Sequence, residues 1–371
     1  MKKIILTISA CFFLVFHQES AAQLMREPEI DDQNRATFTV NAPNAKEVKV
    51  INQSDEMAMG AAEYSLTRGE NGIWTVTTKP CRPGLHYYKL SIDGFECADP
   101  QSQMYFGWAR WSSCLEVPDK NISFYLPKNN PTGDVIIHWY HSKVTGNTRK
   151  CLIYTPPGYR HEMNKRYPVL YLQHGSGESE LGWTMQGKVN FIMDNLIAEG
   201  KAVPMIIVMD NGYAPAPDAE DKNRPAGNSN KFEELVLQDL IPEIDANYRT
   251  LSARESRAIA GLSMGAGQAQ RIGFGNLDVF ASIGAFSGGS RNFDPNTSYS
   301  GVFKDAKKFN ETVKLYWFGC GTLDRAYEGA RSLHNELSKH GIQHVWHEMH
   351  GSHEWQVWRH HIHEFAQQLF K

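Results

Sequence analysis

The chain has 371 residues, with 38 Lys and Arg against 41 Asp and Glu and a formal net charge of -3; 41% of its residues are hydrophobic and 21% charged. That balance is the one of an ordinary globular protein with enough length for two domains, and nothing in it suggests a nucleic-acid footprint, which would show as a clustered basic face. Met1-Lys2-Lys3, the apolar run from Ile4 to Phe16 and the small residues Ser20 and Ala22 predict a secretory signal over residues 1–22, too short for a membrane span. Cys11 lies inside the apolar run, which argues against a lipoprotein box. Export implies an oxidising compartment, which permits a disulfide, best placed among Cys81, Cys97 and Cys114; with Cys151 and Cys320 the count is odd, so at least one thiol stays unpaired. Cys320 ends an apolar strand and reads as a packed small side chain.

Residues 23–117 read as an all-β domain. The segments 36–40, 48–51, 73–77 and 87–92 alternate or cluster β-formers between turn residues, without helical periodicity. Residues 118–133, with Pro127, Asn129-Asn130 and Pro131, read as a polar linker. From residue 134 onward the pattern changes. Two paired strands at 135–140 and 149–154 precede strands at 169–173, 205–209, 257–262, 281–286, 313–318 and 343–349. These alternate with helices at 183–199, 231–247, 325–340 and 354–370 and with a helix after Ser263. Buried strands alternating with helices predict a mostly parallel sheet covered on both faces, with ligands bound beyond the C-terminal strand ends.

The chemistry centres on Gly261-Leu262-Ser263-Met264-Gly265, at the end of an apolar strand and the start of a helix-compatible run. A Gly-x-Ser-x-Gly match arises by chance in roughly one chain in ten of this length, so the strand-to-helix context carries the assignment. A serine on such a turn is forced into strained backbone angles, and small neighbours are needed on both sides. A nucleophilic serine needs a base and the base an orienting acid. Asp324 directly follows a strand and also suits a helix N-cap; Asp294 and Asp305 are less well placed. His353 lies between the last strand and the last helix. The run His347-x-x-His350-x-x-His353 suggests a metal site, but it spans a strand end and a loop, and no cofactor or metal is expected. His360, His361 and His363 fall within the final helix as surface or packing residues. The oxyanion donors are expected to be the amides of Met264, which follows the nucleophile, and Ser176, in Gly175-Ser176-Gly177.

Two resemblances extend this reading. Gly72-Ile73-Trp74-Thr75-Val76, Pro83-Gly84-Leu85-His86-Tyr87-Tyr88-Lys89, Asp93-Gly94 and Asp99-Pro100 resemble the early-set β-sandwich related to family 48 carbohydrate-binding modules, which implies a sandwich that touches glycan or serves as a lid. Tyr154-Thr155-Pro156-Pro157-Gly158-Tyr159, Tyr167 to Gly175, Gly261 to Gly265 and His353 to Trp358 resemble family 1 carbohydrate esterases, esterase D-like α/β-hydrolases that include feruloyl and acetylxylan esterases. Over residues 134–371 this implies an α/β-hydrolase whose triad is Ser263, Asp324 and His353, with Ala266 where many relatives carry glycine. It also implies a cleft lined by the loops 178–186, 211–230 and 288–300. Gly175, Trp183, Tyr213, Gln268 and Tyr299 are assigned to substrate binding. The expectation is a secreted, cofactor-free serine esterase acting on plant cell-wall oligo- or polysaccharide esters. The alternatives are a siderophore esterase, for which Lys188, Lys222 and Arg224 are too scattered to argue, and a glycan-binding protein with a dead hydrolase domain.

Overall fold

A computed structural model describes residues 27–55, 58–215, 231–288 and 293–371. The expected signal segment, Lys222 and Arg224 lie outside the described residues. The N-terminal part is a sandwich of two antiparallel sheets. One has the order Glu29–Ile30, Ala36–Asn41, Ile73–Thr77, Thr67–Arg68; the other runs Glu63–Ser65, Val48–Asn52, Gly84–Ile92, Arg110–Val117, Met104–Gly107, with Phe95–Cys97 also paired to Gly84–Ile92. Between them Phe38, Val50, Trp74, Tyr88, Leu90 and Leu115 form a core. All five cysteines of the described residues are free thiols. Cys81 lies in the sandwich core and Cys97, on a short strand, packs against that same core, whereas Cys114 faces the opposite side of its sheet.

Gly84–Ile92 is buried along nearly its whole length, which a strand open to water on one face would not be. Its two faces serve different cores. Tyr88 and Leu90 point into the sandwich, whereas Leu85 and Tyr87 join Trp183, Trp355, Val357 and Trp358 of the C-terminal part. Arg110–Val117 repeats the division, with Leu115 and Val117 inward and Cys114 outward. Successive strand side chains face opposite ways, so one strand can be shared by two cores. Residues 118–133 lack regular structure, as expected of a linker, yet they are fastened down. Asn195 Nδ2 donates to the carbonyls of Phe124 (2.8 Å) and Leu126 (3.0 Å), and the Gly133 amide donates to Asp194 Oδ1 (2.8 Å).

The C-terminal part is an eight-stranded sheet in the order Asp134–Ser142, Asn147–Thr155, Ile206–Asp210, Val169–Gln173, Arg257–Leu262, Ser282–Phe286, Leu315–Gly321, Val345–Met349. The first three are antiparallel neighbours and the remaining pairings are parallel. The central strands are buried at every position, as both-sided helical cover requires. One face packs against the helices Lys231–Leu235, Ile241–Asn247, Met264–Gly275 and Tyr327–Lys339. The other packs against Val189–Ala198, Trp355–Ala366 and the outer face of the sandwich.

Two expected helices differ in detail. The one expected over 183–199 is two, Gly182–Met185 and Val189–Ala198, because Lys188 takes a left-handed φ of 55° between them. The one expected over 231–247 contains a π segment, Val236–Leu240. Pro242, in the first turn of Ile241–Asn247, has no amide to continue α-helical bonding, and a wider turn absorbs that loss.

Candidate active site

Ser263 occupies the junction between Arg257–Leu262 and Met264–Gly275, with φ 52° and ψ -112°. That is a costly conformation for any residue with a Cβ, of order 1–3 kcal/mol, and the surroundings enforce it. Its amide donates to the Phe286 carbonyl at 2.8 Å. A Cβ at Gly261 would stand 2.5 Å from the Gly265 backbone, and one at Gly265 would stand 2.5 Å from the His174 carbonyl oxygen. The two motif glycines are therefore required by close approach across the elbow. Ala266 is accommodated because its Cβ faces Gly288, where a second Cβ would lie only 2.5 Å away.

His353 follows Val345–Met349 and Asp324 follows Leu315–Gly321, so both stand beyond the ends of two adjacent strands, separated from Ser263's strand by Ser282–Phe286. His353 Nδ1 donates to Asp324 Oδ2 at 2.8 Å. The ring stands edge-on to Trp358 at 5.0 Å, and Trp358 Nε1 donates to Ser287 Oγ at 2.9 Å. With Nδ1 engaged, Nε2 is the nitrogen left for proton transfer. Burial by itself raises the Asp324 pKa, but hydrogen bonds from His353, the Ala326 amide and Ser287 outweigh it and hold the carboxyl below its usual range. The Ala326 bond (2.8 Å) forms a turn ahead of the helix Tyr327–Lys339, so Asp324 orders the approach to that helix from two residues before its N-cap, Ala326. Asp305 caps Ala306–Thr312 through Lys308, and Asp294 closes a local turn with Asn296 and Thr297. Neither approaches His353. No group of three metal-ligating side chains occurs among the described residues. His347 stacks on Trp317 at 5.7 Å, and His361 is fully buried against Phe286 and Trp317.

Ser263, His353, Gly175 and Ser176 line one cavity of about 560 Å³. Gly175 touches the elbow so closely that a Cβ there would meet Leu262 at 2.5 Å and the Ser263 Cβ at 3.5 Å. Met264 opens its helix, so its amide has no partner within the helix and its end carries the positive pole of the dipole. The loop bearing Ser176 is pinned by His174, a residue the sequence reading passed over. Its Nε2 accepts the Gly212 amide (2.9 Å), which leaves Nδ1 to donate to the Gly175 carbonyl (2.7 Å). Burial pushes the His174 pKa down to about 4, so this tautomer persists at neutral pH.

The other residues assigned to substrate binding, Trp183, Gln268, Tyr299 and Tyr213, are not among the described residues that line the cavity holding Ser263. Trp183 is 1% exposed, donates through Nε1 to the Gln173 carbonyl and packs on Phe286 and Trp355, so it supports the floor beneath the site. Gln268 is buried and donates to the Gly212 carbonyl at 3.0 Å. Tyr299 packs on Phe274 and bonds Gln270. Tyr213 accepts the Gly177 amide at 2.6 Å and lies within 3.5 Å of Ser176 Oγ, which makes it a brace for the loop. A strand-end location in sequence does not reveal whether a side chain turns into the cleft or under it.

Sequence reasoning also missed one whole wall. Gln53, Ser54, Asp55, Leu85, Tyr87 and Trp108 of the sandwich line the same cavity as Ser263. Arg82 links Asp55 to Glu354, next to His353, at 3.4 and 3.3 Å. Nothing in the β-pattern of residues 23–117 locates the hydrolase site relative to that domain.

Glu178 lines the cavity as well, and its Oε2 is buried with no hydrogen-bond partner among the described residues. Burial raises its pKa from 4.5 to about 8. Between those two pH values the folded chain keeps a proton that the unfolded chain releases, so stability falls as pH rises from 4.5 to about 8. Glu178→Gln removes the titration. Its melting temperature is expected to match wild type near pH 5 and to exceed it by several degrees near pH 8; parallel melting curves across that interval would refute the protonated assignment.

A mostly parallel, doubly covered sheet with a strained serine elbow and an Asp-His pair at neighbouring strand ends defines an α/β-hydrolase. The family described as "Putative esterase" matches residues 142–369, and the chain belongs to it. It is 36% identical over 351 residues to an endo-1,4-beta-xylanase/feruloyl esterase of Xylanibacter ruminicola. That alignment covers 93% of this chain and 46% of the relative, so the chain spans about half the length of that protein. A CE1 ferulic acid esterase from Anaeromyces mucronatus superposes with a TM-score of 0.59 at 26% identity, covering 68% of this chain and 96% of that one. The enterobactin esterase of Shigella flexneri has the same fold over 96% of this chain and 99% of its own, with a TM-score of 0.64 and 18% identity.

Proposed function

We propose that this protein is an exported serine esterase that removes feruloyl or acetyl groups from xylan-type plant cell-wall polysaccharide. The observation that carries the chemistry is the His353 to Asp324 bond of 2.8 Å at the edge of a cavity that His353 shares with Ser263. In this reading Ser263 Oγ gives its proton to His353 Nε2 and attacks the ester carbonyl. The Met264 and Ser176 amides hold the oxyanion, and the imidazolium, oriented by Asp324, returns its proton to the departing sugar hydroxyl. Water, deprotonated by the same His353, then releases the acid and restores Ser263. Each step balances without a cofactor. The substrate class rests on the relative named as a xylanase/feruloyl esterase and on the similar ferulic acid esterase structure. Export rests on the signal-like residues 1–22, and no helix among the described residues is long and apolar enough to cross a membrane.

The siderophore reading draws on the enterobactin esterase fold, which extends over the sandwich as well. Charge argues against it. With Glu178 protonated, the charged lining residues Asp55 and Glu354 face Arg325 and both pair with Arg82, so the cavity offers no excess positive charge to the negative charge of an iron-loaded catecholate. The test is a rate comparison on methyl ferulate, acetylated xylan and a catecholate trilactone. Hydrolysis of the trilactone with a kcat/KM at or above those of the two plant-type esters overturns the proposed substrate class.

A further inference from the structure

The hairpin joining Met104–Gly107 to Arg110–Val117 turns on two residues, Trp108 and Ala109, since Gly107 pairs with Arg110. Both have positive φ, 55° and 60°, as a type I′ turn demands. Asn or Gly ordinarily fills such positions. A tryptophan there bears a backbone cost of about 1–2 kcal/mol for its left-handed conformation, and no core burial offsets it, because the side chain is 58% exposed. Strain retained by an exposed aromatic residue beside a catalytic cavity points to use of the ring.

The turn is also held in register with the active site. The Ala109 amide donates to the Gly177 carbonyl at 2.7 Å, and a Cβ on Gly177 would meet the Ala109 nitrogen at 3.0 Å and Trp108 Cα at 3.2 Å. Gly177 immediately follows Ser176. Trp108 lines the catalytic cavity on one side and, with Gln53, an adjoining groove on the other; that groove continues along Ile51, Asn52, Lys89 and Arg110. The indole thus stands on the ridge where a substrate leaves the catalytic cavity for the sandwich surface.

We propose that Trp108 is a specificity-determining residue, the platform on which the sugar bearing the ester stacks, and that the groove beyond it receives the next sugars of the chain. Pyranose and furanose rings present an apolar C–H face to a flat aromatic surface while their hydroxyls remain available to polar groups such as Gln53 and Arg110. The sandwich then works as a piece of the active site supplied from another domain. The inference deepens the esterase reading given above and rests on it.

The test compares wild type with Trp108→Gly and Trp108→Phe on methyl ferulate and on a feruloylated xylan oligosaccharide. Glycine suits the positive φ, so Trp108→Gly removes the ring while relieving the turn, and its melting temperature should not fall. Its kcat/KM on the oligosaccharide is expected to fall about tenfold further than on methyl ferulate, chiefly through KM, which corresponds to about 1.4 kcal/mol of lost sugar binding. Trp108→Phe should recover most of that difference. Equal losses on both esters, or none on either, overturn the platform. If wild-type protein cleaves neither ester, the esterase reading itself fails and the platform fails with it; if wild type cleaves both, only the Trp108 result is at issue.

Discussion

Ser263→Ala is expected to lower kcat on any ester substrate by roughly 10³-fold or more, because the nucleophile, base and orienting acid act as a unit. The change removes one oxygen and leaves the elbow's supports in place: the bond from the residue 263 amide to Phe286 and the close glycine contacts at positions 261 and 265. Folding should therefore be unaffected. Ser263→Gly should be equally inactive and more stable than Ser263→Ala, since only glycine adopts φ 52° without strain. Single-turnover hydrolysis and thermal melts of the three proteins check both statements. Near wild-type turnover in Ser263→Ala would remove Ser263 from the mechanism, and equal melting temperatures for the alanine and glycine variants would contradict the strain.

Glu116→Ala is expected to cost about 3 kcal/mol of stability, the range for stripping a partner from a buried ion pair. Arg359 is wholly buried in the helix that starts two residues after His353. Its guanidinium donates to both oxygens of Glu116 at 2.6 and 2.9 Å, to the Gln186 carbonyl through Nε at 2.8 Å, and lies over the Tyr125 ring at 4.6 Å. Glu116 comes from the sandwich, Tyr125 from the connecting segment, and Gln186 and Arg359 from the hydrolase part. Removing the carboxylate leaves a buried cation with neutral acceptors only. The double change Glu116→Leu with Arg359→Met should recover much of the loss, because apolar replacements of similar volume remove the uncompensated charge along with the pair. Chemical denaturation of the single and double variants measures this, and a loss under about 1 kcal/mol for Glu116→Ala would show that water compensates Arg359. A chain truncated near Asp134 loses Glu116, Tyr125, Leu85 and Tyr87 together, and so exposes the apolar face around Trp355 and Trp358 that they cover.

The elements legible in the sequence were those whose cause is local. The mostly apolar runs at 169–173, 257–262 and 281–286 pointed to strands buried on both faces, and the alternation at 36–40 to a strand with one core face. The elbow was equally local, since close backbone approach at Gly261 and Gly265 leaves its mark as glycine within two residues of Ser263. Asp324 and His353 were singled out from position, because chain order and the strand ends constrain where a triad's partners can stand.

What only the tertiary structure decided depends on direction and on contacts distant in sequence. Trp183 and Gln268 occupy loops or helix starts at the correct end of the sheet, yet their side chains turn beneath the cleft, and no periodicity reports that choice. His174 binds Gly212 across 38 residues, and Arg359 binds Glu116 across 243, so neither partner is visible from its neighbours in sequence. The near-complete burial of Gly84–Ile92 follows from a second core built largely from the C-terminal part of the chain. The wall that Trp108 contributes has the same origin: local sequence specified a hairpin with a strained turn, and only the docking of one domain on the other placed that turn beside Ser263.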